Sequence, residues 1–417
     1  MIIWLYLVTV FIAPQLWLEP FIGIRVDTVI YPLWFGILIL NNRLSEVFKF
    51  KTIDKVYILY IIWIILSITF NEKTIASSTI LFNYVKWFFM YRMLVATIHD
   101  IEGFRKAISG LILIIAFLVI EGILHKNSLD GIGLAGQSLG WVDPSVILKG
   151  GTGRTIWVNI FDGPGSFCVA YTMCLPFVLR YFDSQYSLSK KILALFLLLP
   201  LLLAIWYTGS RGGFLSTLSI IASYSMIRLG VDFKKTIMLF SLLMTVYMLA
   251  PSHLTSTRDS NKSAQHRVDM WIEGIDMVRD NPLFGVGRGN YVIYTGKLIA
   301  HNSAIQIMGE LGMPGLILWV MLLYLAFKNI KIYKSSVDDP NSISLANALN
   351  ICLIGYIVSS MFVTLEYEIL YFLIGLTSVL GNIQNKEIKI DHREIVMISG
   401  VCIVFVVVLK IFVNLYY

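Results

Sequence analysis

Charge is what this chain has least of. Only 14% of its 417 residues are Asp, Glu, Lys or Arg, where soluble domains carry about 25%. Polar linkers are missing too. A soluble chain of this length would divide into two or three domains joined by such linkers, but apolar runs recur here from residue 2 to residue 414. Repeats and low-complexity segments are absent. The apolar runs are continuous rather than alternating, which argues against a β-barrel. Only four cysteines occur, Cys168, Cys174, Cys352 and Cys402, and all sit inside apolar runs. They read as small hydrophobes, with neither a disulfide frame nor metal-ligand spacing. No CxxC, HExxH or P-loop pattern appears. The first apolar run, Ile2 to Ala13, lacks a basic leading region and a small-residue cleavage site, so it reads as a retained span. What remains is an all-α integral membrane protein, one polytopic domain over residues 1–417.

A span needs roughly 20 apolar residues. The runs predict spans at 2–18, 26–41, 54–71, 79–98, 106–124, 161–181, 192–208, 213–228, 236–251, 303–327, 343–364, 368–383 and 396–415, about 12 or 13 in all. Lys and Arg near span ends set the orientation. Arg43, Lys49, Lys51 and Lys55 fall in one loop, Arg105 and Lys106 in another, then Arg180, Lys190 and Lys191. Arg228, Lys234 and Lys235 follow, then Lys328, Lys331 and Lys334, then Lys386, Lys389 and Arg393. Counted alternately, these loops share one side, the cytoplasm. The net charge of +7 is explained by this bias and does not imply nucleic acid. Two long loops face outward, a first one at 125–160 and a large one at 251–302. Both carry basic residues where the orientation rule does not require them.

Arg211 lies in Tyr207-Thr208-Gly209-Ser210-Arg211-Gly212-Gly213, a very short outer turn. An arginine at membrane depth costs several kcal/mol by most estimates. Such a residue is either a ligand-facing cation or an interfacial one snorkelling to headgroups. In the large loop, Val268, Trp271, Ile272, Ile275 and Val278 recur at helical spacing. The spacing predicts an amphipathic helix opened by Arg267, ended by Asn281-Pro282, and lying along the membrane with Trp271 dipping in. Next comes Pro282-Leu283-Phe284-Gly285-Val286-Gly287-Arg288-Gly289-Asn290-Tyr291. Alternating glycines suit either an anion-binding nest or a plain turn, and Arg288 is a secondary candidate. Ser303 and Gln306 match a capping box, so a helix begins near residue 302. His301 and Asn302 stand at its start. The helix dipole there lowers a histidine's pKa and keeps it neutral, and the same helix end favours a phosphate. A histidine that only bonds locally is the plain alternative. Glu310, two turns on, suits orienting a partner or pairing with an arginine. Arg154, in Gly150-Gly151-Thr152-Gly153-Arg154 of the first outer loop, offers a further positive charge. Lys86 and Glu121 suit a structural ion pair, and Arg92 suits snorkelling inward. No Asp-x-Asp lies outside, and Asp338-Asp339-Pro340 is cytoplasmic, so no divalent metal site is supported and no cofactor is expected.

Taken together, these motifs resemble the O-antigen ligase and O-antigen polymerase-like membrane protein family. The resemblance rests on Ser210-Arg211-Gly212, on Arg267 before a Trp-containing helix, and on Asn281-Pro282-Leu283-Phe284-Gly285-Val286-Gly287. His301-Asn302-Ser303 with Gln306, Glu310, Leu311 and Gly312 completes it, covering about residues 160–325. The resemblance implies a glycosyltransferase of the bacterial inner membrane, acting on glycans carried by undecaprenyl pyrophosphate at the outer face. It maps the family's two pyrophosphate-binding arginines onto Arg211 and Arg267, and its proposed base onto His301. It implies inverting transfer without a metal. The partners it implies are the lipid-linked glycan, membrane lipids, and chain-length regulator and flippase proteins. Polymerisation of repeat units is the favoured activity. Ligation of a finished chain to lipid A–core or protein is the alternative within the family. A glycolipid transporter is the alternative of another class, but internal repeats and midplane charges typical of transporters are not evident.

Overall fold

The computed structural model describes the chain apart from residues 20, 72–76, 141–152, 162, 229–256, 297, 387 and 417. It is 76% helical, with no strand among the described residues. Helix is what the composition requires, because in lipid each backbone N–H and C=O must be satisfied within its own segment. The principal helices are α1 (Ile2–Leu7), α2 (Val26–Leu40), α3 (Thr52–Phe70), α4 (Ser77–Thr97), α5 (Ile101–Lys126), α6 (Pro164–Leu179) and α7 (Leu188–Tyr207). They continue with α8 (Arg211–Arg228), α9 (Thr257–Asp280), α10 (Ser303–Lys334), α11 (Pro340–Ser360), α12 (Glu368–Ile383) and α13 (His392–Tyr416). Each expected span coincides with a helix except 236–251, which lies outside the described residues. Among the described residues, seven helices are long and apolar enough to cross a membrane, and Ile2–Ile12, Thr28–Leu40 and Glu368–Ile383 are shorter apolar helices. α4 and α8 match expected spans but are more polar, carrying Lys86 and Arg92 and a run of serines and threonine. The first span is shorter than its apolar run suggests. It ends at Ile12, where Ala13 turns left-handed (φ +51°) ahead of Pro14, whose ring cannot continue a helix.

The chain forms two compact units. The first comprises Met1–Ile37, Asp100–Ser256 and Val337–Phe362; the second comprises Leu38–His99, Thr257–Ser336 and Val363–Tyr417. In the first unit, α11 packs on α8 and α6. Small residues make this close: Ser216 Oγ donates to the Gly355 carbonyl at 2.7 Å, and Ile220 fills the space beside Gly355. Buried Asp183 ties one end, accepting from Arg228 Nε at 2.6 Å, Tyr224 Oη at 3.2 Å and Ser344 Oγ at 2.5 Å.

In the second unit, α10 is the central helix and packs on α3, α9, α12 and α13. Arg92 does not snorkel free. It is 2% exposed and its Nη1 meets Asp54 at 2.9 Å. Its remaining donors go to the carbonyls of Val47, Glu46 and Lys49. An arginine this dry needs a counter-ion and full hydrogen bonding; Asp54 at the start of α3 supplies the first, and the carbonyls of residues 46, 47 and 49 just before that helix supply the second. In the first unit, Glu121 accepts from the Leu134 N–H at 3.1 Å and Gln137 Nε2 at 2.8 Å, pinning the segment after α5 back onto that helix.

Candidate active site

The glycine loop is built into a break in α10. Gly312 leaves helical geometry (φ 69°, ψ −173°), so the carbonyls preceding it lose their helical partners. The loop supplies replacements. Val286 N–H donates to the Gly309 carbonyl and Gly287 N–H to the Glu310 carbonyl, each at 3.0 Å, while Met313 N–H returns to the Pro282 carbonyl at 2.9 Å. From α3, Ser67 Oγ lies 2.8 and 2.9 Å from the Phe284 and Glu310 carbonyls, which share its one hydroxyl proton. Phe284 stacks between Trp63 and Phe70, with ring centroids 5.0 and 4.6 Å away. Gly285 has φ +62°, and a Cβ there would overlap the Glu310 backbone. The alternating glycines therefore do not make an anion nest. The N–H groups of Val286 and Gly287 are spent on α10.

Arg288 and Glu310 follow from this docking. Arg288 is 8% exposed and Glu310 is 1% exposed, and they form an ion pair. Arg288 Nη2 lies 2.8 Å from Glu366, and its Nε donates to Tyr84 Oη at 3.0 Å. Tyr60 and Tyr371 also donate to Glu366. Burial pushes the Glu366 carboxyl up, opposed by Arg288. Burial works against the Arg288 charge, but Glu366, Tyr84 and Glu310 hold the guanidinium charged. Arg288, a secondary candidate in the sequence, is thus buried and paired with two carboxylates, and Glu310 pairs with an arginine as its position suggested. Glu366 escaped sequence reasoning. Its one signal is an acid between two apolar spans, in Thr364-Leu365-Glu366-Tyr367-Glu368.

The start of α10 is fixed from several sides. Asn302 is the N-cap, its side chain accepting from the Ile305 N–H at 3.2 Å, an arrangement worth about 1 kcal/mol. The capping box expected from Ser303 and Gln306 does not form. Ser303 Oγ accepts from the Leu365 N–H at 2.9 Å instead. Gln306 accepts from Thr364 Oγ1 at 2.9 Å and donates to Glu310 at 3.3 Å. Tertiary partners displaced the local pattern, and Asn302, at 4% exposure, caps the helix.

His301 stands just ahead of that cap with φ +49°. A left-handed non-glycine residue is uncommon, though histidine tolerates it better than most. Its neighbour Ala300 is gripped by α9, where Trp271 Nε1 donates to the Ala300 carbonyl at 3.0 Å. Arg267 lies four residues before Trp271, hence on the same helix face. That register brings Arg267 to His301. Burial lowers the His301 pKa from its ordinary value, and the charge of Arg267 lowers it further. Both favour the neutral imidazole, the direction that the helix-end position suggested, although the causes are burial and an arginine. α9 itself departs from expectation. It starts at Thr257, so Arg267 lies mid-helix, and it packs against α10. Gly274 faces Ile305 and Tyr291, while Gly309 faces Met277; these small residues let the two helices meet. Trp271 binds protein and rests against Phe412, with centroids 6.2 Å apart, so it is not simply a membrane dip.

In the first unit, Arg211 is the first residue of α8 and is exposed. Ser210 Oγ accepts from the Gly213 N–H at 3.1 Å and caps that end. The segment at Arg154 and Thr155 reaches the same turn. Thr155 N–H donates to the Tyr207 carbonyl at 3.1 Å, and the Arg154 side chain lies over Gly209. Two guanidinium-bearing residues thus share one turn with a helix N-terminus, where anions are favoured. Residues 150–152 of the expected Gly-rich stretch lie outside the described residues.

A family model described as O-antigen ligase matches residues 193–320. The matched stretch contains Arg211, Arg267, Arg288, His301, Asn302 and Glu310, but not Arg154 or Glu366. It supports an O-antigen ligase or polymerase-like family and a glycosyl-transfer role in O-antigen assembly. Comparison with curated proteins gives no match.

Proposed function

We propose that this chain polymerises oligosaccharide repeat units carried on undecaprenyl pyrophosphate, at the outer face of the bacterial inner membrane. A sugar hydroxyl of the acceptor attacks the anomeric carbon of the donor glycan. The new C–O bond forms as the bond to pyrophosphate breaks, and the electron pair leaves with the pyrophosphate. His301 takes the hydroxyl proton. Backside displacement inverts the anomeric configuration. Arg211 and Arg267 bind the pyrophosphate, and Arg154 adds positive charge at the Gly209 turn. Guanidinium forks suit this work, since they bind phosphate oxygens bidentately and stay charged.

The observation carrying this reading is the coupling of His301 to Arg267. A base must be unprotonated before it acts, and burial, then the charge of Arg267, both shift the imidazole in that direction. General-base catalysis is worth about 10²–10⁴-fold. His301→Ala is therefore expected to abolish long glycan chains while protein levels in the membrane stay unchanged. Arg211→Lys should fail as well, because the fork is lost. Normal glycan ladders from both variants would contradict the mechanism.

Ligation of a finished chain to lipid A–core or protein is the second reading, favoured by the description of the matching family. Deleting the gene separates the two. Loss of long chains with single repeats still attached to core means polymerase. Long chains accumulating on the lipid carrier mean ligase.

A further inference from the structure

α9 grips the entry to α10 through one side chain, Trp271. An indole has a single N–H donor and no acceptor, and here that donor meets the Ala300 carbonyl at 3.0 Å. Ala300 is fully buried, and one peptide bond joins it to His301. His301 is left-handed, with φ +49°, and Asn302 after it is extended, with φ −153° and ψ 118°. A non-glycine residue in the left-handed region is strained and persists only where its surroundings fix it. Asn302 fixes the far side by capping α10. On the near side, Trp271 holds the carbonyl of the residue before.

The helix behind that grip is itself anchored. Tyr291 Oη donates to the Met270 carbonyl, and the Tyr291 N–H donates to Glu310 of α10 at 3.2 Å. Gly274 lies against Ile305. The Trp271 ring rests on Phe412 of α13, with centroids 6.2 Å apart. Arg267 sits one turn before Trp271, on the same face and about 6 Å along the helix axis. Among the described residues, Arg267 is the charged group that acts on the imidazole. One side chain therefore joins the two. Its N–H end holds the peptide that carries His301, and its backbone belongs to the helix that carries Arg267.

We infer that Trp271 is a positioning residue for glycosyl transfer: by holding the Ala300 carbonyl, its indole N–H sets the His301 ring beside Arg267. The inference rests on the reading of His301 as the base, and Trp271 touches no reacting atom in it. Without the bond, the peptide between Ala300 and His301 can turn. The imidazole then leaves its buried seat and the guanidinium, and the proton acceptor is misplaced. Arg267 stays on α9, so donor binding is retained.

The test uses the full chain in nanodiscs, supplied with undecaprenyl-pyrophosphate-linked repeat units extracted from the source strain. Trp271→Phe keeps an aromatic ring against Phe412 and removes the N–H. Its kcat is expected to fall about tenfold to a hundredfold, the scale set by a misplacement of about 1 Å, with KM for the donor unchanged. The His301 titration is read by NMR on isotope-labelled histidine and identified by its absence in His301→Gln. In Trp271→Phe it should move up, toward that of an ordinary histidine. Benzothienylalanine inserted in place of Trp271 has a ring of the same shape with sulfur for the N–H. It should behave as Trp271→Phe does, and it serves where the smaller ring loosens the fold. Trp319, a buried tryptophan of α10 whose N–H has no hydrogen-bond partner, is the control. Trp319→Phe should keep the wild-type kcat and His301 titration. If His301→Gln turns over at the wild-type rate, the base reading falls and this inference with it. If His301→Gln is inactive while both Trp271 replacements keep the wild-type kcat and titration, the base reading stands and Trp271 does not position it. A thermal midpoint lowered equally by Trp271→Phe and Trp319→Phe, with His301 titrating as in wild type in both, would reduce Trp271 to packing and overturn the inference too.

Discussion

At the scale of single residues, the candidate chemistry depends on how neighbours tune His301. Its pKa lies below the ordinary histidine value because of burial first and Arg267 second. A base is active when deprotonated, so glycosyl transfer should fall as pH drops through that lowered pKa. Removing the arginine charge should raise the pKa. In Arg267→Ala the acid limb of the pH–rate profile is therefore expected at higher pH than in wild type, beyond any loss of substrate binding. A limb at the same pH would show that Arg267 does not act on the imidazole. Arg288 teaches the opposite lesson. By composition it resembled Arg211 and Arg267, yet two carboxylates and a tyrosine hydroxyl claim it.

At the scale of elements, the break in α10 is the main construction. A helix interrupted at Gly312 exposes carbonyls that a membrane environment would leave costly, and the glycine loop satisfies them. Gly285→Ala places a methyl group against the Glu310 backbone in a left-handed conformation. It should cost at least about 1 kcal/mol, read as a lowered thermal midpoint in detergent. The charged cluster beneath makes a sharper prediction. Arg288→Met strands two buried carboxylates and should destabilise by about 3–5 kcal/mol. Converting Glu310 and Glu366 to Gln in that background should restore part of the loss, because no buried charge remains. His301→Ala should leave the same midpoint close to wild type. If Arg288→Met unfolds no earlier than His301→Ala, the cluster does not hold α10 in place.

At the scale of the whole molecule, the alternation of basic loops predicts which residues face which side. A cysteine at Thr295 should react with a membrane-impermeant reagent added outside intact spheroplasts, whereas one at Asn385 should react only after permeabilisation. The reverse result would place His301 on the cytoplasmic side and rule out a lipid-linked glycan at the outer face. The choice between polymerase and ligase also belongs to this scale, since it depends on the acceptor and not on the residues that activate it.

Much of the architecture was legible in the sequence, because a lipid environment leaves the backbone few options. Apolar runs predicted the helices, and Asn281-Pro282 marked the end of α9. The helix at Ser303 and the roles of Trp271 and Glu310 as helix-face residues followed from spacing. What spacing could not give was partnership over long separations. Glu366 meets Arg288 across 78 positions, and Ser303 is taken from its capping box by Leu365. Arg288, Arg267 and Arg211 carry the same side chain. Only tertiary packing determined that the first is enclosed by carboxylates, the second lies beside an imidazole, and the third opens a helix into solvent. The physical reason is that composition fixes which groups must be buried or paired, while the folded chain alone decides with whom.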